Sequence, residues 1–226
     1  MFLKIKVGIA FLCLIVNLAF ANSEWPAIKK VGNGVYDFDG VTIDRINSKI
    51  EFKMISNQNN GLIEYAIVHE NGKVHESLFR TATRPQILHA SLLLLKAKPE
   101  KEFFSNFDLN STAEKYFSKC MQVEVSWESN GTRFLTPLRE MYYNQKNEKY
   151  LPPQPIFLFT GSRMIEKTFM AEQSGSILGV YTDPDAIINS IESNSDNDDL
   201  WLAKAIGMPQ LELVVTCVLH LPKEVP

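Results

Sequence analysis

The chain has 226 residues, with 23 Lys and Arg against 26 Asp and Glu for a formal net charge of −3, and its composition is that of an ordinary globular protein. No Lys/Arg cluster is interleaved with aromatics, so a nucleic-acid partner is not expected.

In chain order, Lys4 and Lys6 form a short basic region, Val7 to Phe20 is almost wholly apolar, and Ala19-Phe20-Ala21 flanks a leader-peptidase cut before Asn22. The run falls short of the roughly 20 apolar residues a spanning helix needs, and Asn17 interrupts it. Cys13 does not read as a lipoprotein cysteine, because Leu12 stands where a small residue is required. Residues 1–21 are therefore expected to be a signal peptide, and the product to be periplasmic or secreted with no stable membrane anchor after cleavage.

Residues 22–40, with Gly32 and Gly34, read as a mobile leader to a single domain over 41–226. Val41 to Ile46 and Lys49 to Ile55 form a first hairpin. Leu62 to Phe79 form a second, folded about Asn71-Gly72, the favoured pair for a type I′ turn. Thr83 with Gln86 has the form of a capping box, Pro85 suits a first helical turn, and the apolar period runs to Ala97 before Pro99 ends it. Residues 100–119 read as a loop with a short helix, and Met121 to Trp127 with Thr132 to Leu138 as a third hairpin about Asn130-Gly131. A charged, proline-rich connection over 146–155 precedes a strand at Ile156 to Thr160. Strands at 167–171 and 176–181 follow, then a helix capped by Asp183, an acidic loop at 193–199, a helical turn at 200–206 and a last strand at 211–221. Hairpins outnumber βαβ units, which predicts an α+β fold: antiparallel β-hairpins forming one or two sheets with two or three helices.

The stretch VHENGKVHES, residues 68–77, carries two histidines and two glutamates around the expected turn. With Asn71-Gly72 as the turn pair, His69 faces Val74 and Val68 faces His75, so His69 and His75 point to opposite sides and cannot share a metal ion. Glu76 then falls among Tyr65, Ile67 and Leu78 on the core face, where a carboxylate needs a donor. Arg163 is the candidate partner, the alternative being that Glu76 reaches the sheet edge and is solvated. His89 and Lys96 share the outward side of the helix. A trio of His75, Glu76 and His89 around zinc has no fixed motif spacing behind it.

Cys120 and Cys217 invite a disulfide, yet Cys120 alternates with polar residues and Cys217 with apolar ones, so unpaired buried thiols are the competing expectation. No CxxC, HExxH, P-loop or GxSxG is present. Asp196, Asp198 and Asp199 lack the glycine and closing glutamate of an EF-hand loop. Asn110 and Asn130 stand in glycosylation acceptor triplets that matter only in a eukaryotic secretory route.

Five segments, Gly61-Leu-Ile-Glu-Tyr, Gly72-Lys-Val-His-Glu-Ser-Leu, His89-Ala-Ser-Leu-Leu-Leu-Leu, Phe159-Thr-Gly-Ser and GSILGVYTDPD from Gly175 to Asp185, resemble the YdjY-domain family of bacterial exported proteins. The resemblance covers most of the chain beyond the leader, in the same order, and implies an envelope location with no particular chemistry. Some relatives carry cysteine-rich iron–sulfur segments, and this chain has no such cluster.

The leading expectation is a non-catalytic envelope module that binds a small ligand or partner protein through His75, Glu76, Ser77, Ser162 and Arg163, with no cofactor. The alternative is a metal-assisted hydrolase using His75 or His89 with Glu76.

Overall fold

The computed structural model describes residues 25–106, 114–146 and 155–222. The expected signal peptide, Cys13, the acceptor Asn110 and most of the 146–155 connection lie outside these residues. Among the described residues strand accounts for 41% and helix of all kinds for 20%, so β structure dominates an α+β-like fold. Among the described residues no helix is long and apolar enough to cross a membrane.

A twelve-stranded sheet is organised around β4 (Lys49–Ser56). Ile50, Phe52, Met54 and Ser56 alternate into the interior, and β16 (Val214–His220) pairs antiparallel along one edge, from Val214 opposite Ile55 to His220 opposite Lys49. β16 in turn carries β7 (Gln122–Ser129), whose hairpin with β8 (Thr132–Pro137) turns at Asn130 and Gly131. Both turn residues have positive φ, 52° and 74°, as a type I′ turn demands, so this hairpin forms as expected. β3 (Val41–Asp44) and β6 (Ser77–Thr81) share the other edge of β4.

Residues 28–38, expected to be mobile, instead form β1 (Ile28–Gly32) and β2 (Val35–Phe38), and β2 pairs with β3 from Val35 opposite Asp44 to Phe38 opposite Val41. The reason is packing: Phe38 and Val41 are buried in the common core, and Trp25 stacks on Phe38 with ring centroids 6.2 Å apart. The glycines therefore mark turns within a sheet.

The second expected hairpin does not exist. β5 (Tyr65–His69) and β6 run parallel, with Tyr65 beside Ser77 and Ile67 beside Phe79. Neither Asn71 nor Gly72 has positive φ, so no I′ turn forms, and residues 70–76 double back through a 3₁₀ turn at Val74–Glu76. This return is shorter than the dozen or so residues a parallel crossover usually takes. Gly72 serves close approach: a Cβ there would sit 2.9 Å from the Ser174 carbonyl oxygen and 3.0 Å from the Gly175 Cα. Parallel pairing also explains why four of the five residues of β5 are buried, since both its faces are covered.

β13 (Ser176–Gly179), β14 (Ile188–Ser190) and β10 (Phe157–Phe159) complete the sheet beyond β5, with β13 and β14 parallel. β9 (Tyr142–Asn144) with β15 (Trp201–Ala203), and β11 (Met164–Ile165) with β12 (Thr168–Phe169), form two small ribbons. Helix α1 spans Pro85–Leu94, and its start is held across the fold rather than by Thr83: Glu172, on α2 (Met170–Ser174), accepts from the Gln86 N–H at 3.0 Å and from Arg84 Nε at 2.7 Å. The helix expected after Asp183 is an Asx turn, in which the Asp183 carboxylate accepts from the Asp185 N–H at 2.8 Å.

Cys120 and Cys217 are both buried free thiols. Strand register prevents the disulfide: Cys217 lies opposite Val125, five residues from Cys120, or roughly 16 Å along a strand where a bridge needs about 6 Å between Cα atoms. Burial pushes the Cys120 thiol up to about 12 and raises Cys217 as well.

Candidate binding site

Folding residues 70–76 back along β5 delivers the Lys73 ammonium to the Tyr65 hydroxyl, Nζ to Oη 2.6 Å, and over the tyrosine ring at 4.7 Å from its centroid. Tyr65 is buried and donates onward to Asp183 Oδ2 at 2.7 Å. Glu64 and Glu76 flank the ammonium at 3.8 and 3.9 Å. Asp183 is fixed in turn by Asn189, a fully buried residue of β14, which accepts from the Asp183 N–H at 2.7 Å and donates to its carbonyl at 3.0 Å.

Burial, followed by the Asp183 carboxylate, raises the Tyr65 hydroxyl above its ordinary value, so it remains protonated and acts as a neutral link. Burial, then the neighbouring Glu76, raises Glu64, with Lys73 opposing.

Each residue expected at the site has a definite place. His75 is the exposed apex of the 3₁₀ turn, its Nε2 3.6 Å from Glu76 Oε2. Ser77 is fully buried, and its hydroxyl donates to the Val74 carbonyl at 3.3 Å. Ser162 accepts from the Ala171 N–H at 3.0 Å and so caps α2. Arg163 does not meet Glu76: its guanidinium pairs with Asp185, and its N–H donates to the Pro184 carbonyl. The Asp183–Asp185 turn nevertheless joins the two segments, with Tyr65 bound to one end and Arg163 to the other. Glu76 finds its cation in Lys73, three residues away on the same turn, a pairing that the hairpin register hides.

His89 is not outward-facing. It packs between Phe159 and Phe169, with centroids at 5.4 and 5.0 Å, beside Gly161. Phe159 belongs to β10, three strand spacings across the sheet from β5, roughly 14 Å. His89 therefore lies on a different part of the sheet from the 73–76 turn, and among the described residues no three His, Cys, Asp or Glu side chains are grouped to hold a metal ion.

Beside the Lys73 centre lies an open depression of about 780 Å³, floored by Asn57 to Gly61 and walled by Gly72, Val74, His75 and Leu211. Asn57 braces the wall: its Nδ2 donates to the Val74 carbonyl at 2.6 Å and the Ser77 carbonyl at 2.8 Å, and its Oδ1 accepts from Arg80 at 3.0 Å. Gln58 donates to the carbonyls of Asn60 and Leu62, which shapes the floor. The Asn59 and Asn60 amides and the His75 imidazole remain to face solvent, a mixture of donors and acceptors. Tyr65, Lys73, Asp183 and Asn57 carry this arrangement; none is singled out as a site residue from the sequence, although Tyr65, Lys73 and Asp183 stand in three of the five segments quoted above.

The family model for the YdjY domain matches residues 41–202. No curated protein and no solved structure matches the chain.

Proposed function

The chain belongs to the YdjY-domain family, and from that premise we propose that it is an exported, non-catalytic envelope module that binds an extended peptide segment of a partner protein in the depression between Asn57–Gly61 and Gly72–His75. The observation that carries the reading is the mixed donor and acceptor surface of Asn59, Asn60 and His75, set on a wall that Lys73 and Asn57 hold in place. Side-chain amides pair with peptide N–H and C=O groups alike, and a preorganised wall lowers the ordering cost of binding. Export is supported by the basic, apolar and small-residue order of residues 4–21.

The alternative reading, a metal-assisted hydrolase, would rest on His75 with Glu76, whose side chains lie 3.6 Å apart, because His89 packs between Phe159 and Phe169 on a different part of the sheet.

Site-specific photo-crosslinking in the native cell tests the proposal, with the probe at Asn59 or His75 and a control probe at Ile206, which is 85% exposed elsewhere. One defined adduct from positions 59 and 75, absent from 206 and lost in Lys73→Met, is expected. Equal labelling from 206, or none from 59 and 75, overturns it. N-terminal sequencing of the envelope fraction should begin at Asn22 if residues 1–21 are removed.

A further inference from the structure

On a different part of the molecule, the end of α1, the β3–β4 turn and the end of β16 enclose a second cavity of about 790 Å³, within the size range of small-molecule sites. Its floor is apolar: Met121 and Phe159 are buried core residues, and Leu95 and Leu221 pack against that core. Its rim is cationic, with Arg45, Lys96, Lys98 and Lys119. Lys119 is neutralised by Glu100 at 2.8 Å, whereas Arg45, Lys96 and Lys98 have no carboxylate within 4 Å among the described residues. On a chain of net charge −3, three cations on one apolar cavity with no carboxylate partner among the described residues run against the average.

The placement of Lys96 is a second, independent observation. α1 ends in a Schellman motif, with the Ala97 N–H donating to the Leu92 carbonyl at 3.0 Å and the Lys96 N–H to the Leu93 carbonyl at 2.8 Å. Lys96 occupies the left-handed position of that motif at φ 66°, where glycine is the favoured residue. The cation is thus held at the cavity rim at some conformational cost to the helix end.

The geometry points to a binding site for a single-chain amphiphilic anion, a medium-chain carboxylate whose apolar chain lies over Met121 and Phe159 and whose head is met by Lys96, Lys98 and Arg45. An apolar floor with a charged rim of one sign matches an apolar chain ending in a charge of the other, and the low-dielectric floor strengthens the pairing at the rim. Neither feature depends on the Lys73 depression.

Decanoate, below the concentration at which it forms micelles, is the probe, titrated into the labelled full chain and followed by calorimetry and amide chemical shifts. Saturable binding that shifts Leu95, Met121 and Phe159 is expected, with uncharged decanol at least about tenfold weaker, the factor one charge-assisted contact supplies. The double variant Lys96→Gly/Lys98→Ala should weaken decanoate about tenfold or more yet fold normally, because glycine suits φ 66° at position 96. Equal affinity for decanol, unchanged affinity in the double variant, shifts confined to other surfaces, or binding only to anionic-lipid vesicles would each overturn the assignment.

Discussion

Replacing Lys73 by methionine keeps the apolar length of the side chain and removes its charge. Three interactions are lost: the hydrogen bond to Tyr65 at 2.6 Å, the contact with the Tyr65 ring at 4.7 Å, and the pairs with Glu64 and Glu76 at 3.8 and 3.9 Å. A charged hydrogen bond contributes about 1.5–3 kcal/mol, but the lysine side chain is 43% exposed, which places this one at the low end and leaves the two longer pairs a few tenths each. With roughly 0.5 kcal/mol from the ring, the loss is about 2 kcal/mol, or a fall in Tm of about 4–8 °C for a chain of this size. The variant also leaves Glu64 and Glu76 facing each other without a cation. Glu64 already binds its proton more tightly folded than unfolded, so its ionisation weakens the fold as pH rises through and above its ordinary 4.5. The penalty of the substitution should accordingly shrink as the pH is lowered toward that value. Urea melts of both proteins between pH 4.5 and 8 are the assay. A change below about 0.5 kcal/mol at pH 7, or a penalty that grows on acidification, would refute the reasoning.

His89 is held below its ordinary 6.5 by burial and then by Lys101, so the folded state binds fewer protons than the unfolded one. Its stabilisation is complete above 6.5 and lost as pH falls through the depressed value, and His89→Phe should show a smaller acid loss of Tm than the parent. Gly161→Ala places a Cβ 2.5 Å from the Pro99 Cβ at φ 87°, and thermal melts should record a loss of about 2 kcal/mol or more. Cys120 and Cys217 should resist a thiol reagent in the native protein and react without added reductant once denatured, which thiol counting reads directly.

Where sequence signals were local, they translated into structure. Asn130-Gly131 sits between alternating strands with nothing else pressing on it, and its turn forms with the expected backbone. Asn71-Gly72 has the same chemistry, but the backbone of Gly175 packs against Gly72, and β5 gains more by pairing with β13 and β6 on its two edges than by closing on itself. Nothing within residues 62–79 announces that competition, because β13 is about a hundred residues away in sequence. The same nonlocality hid the cap of α1, supplied by Glu172, and the partner of Arg163, supplied by Asp185. Polar segments 75–77 and 160–163 were legible as unusual, while the residues that link them, Tyr65 and Asp183, read as an ordinary strand tyrosine and a helix cap. The pairing of Glu76 depends on a turn in which Lys73 and Glu76 share one side, which strand alternation would have separated.

Whether the chain between His69 and Ser77 doubles back to seat Lys73 on Tyr65 is read most directly from backbone nuclear Overhauser contacts in the labelled protein. Contacts between Ile67 and Phe79 and between Tyr65 and Ser77 are expected from the parallel register. Contacts pairing Val68 with His75 and Ile67 with Glu76 would instead show a hairpin, and with it the Lys73 centre and the wall of the binding depression would be gone.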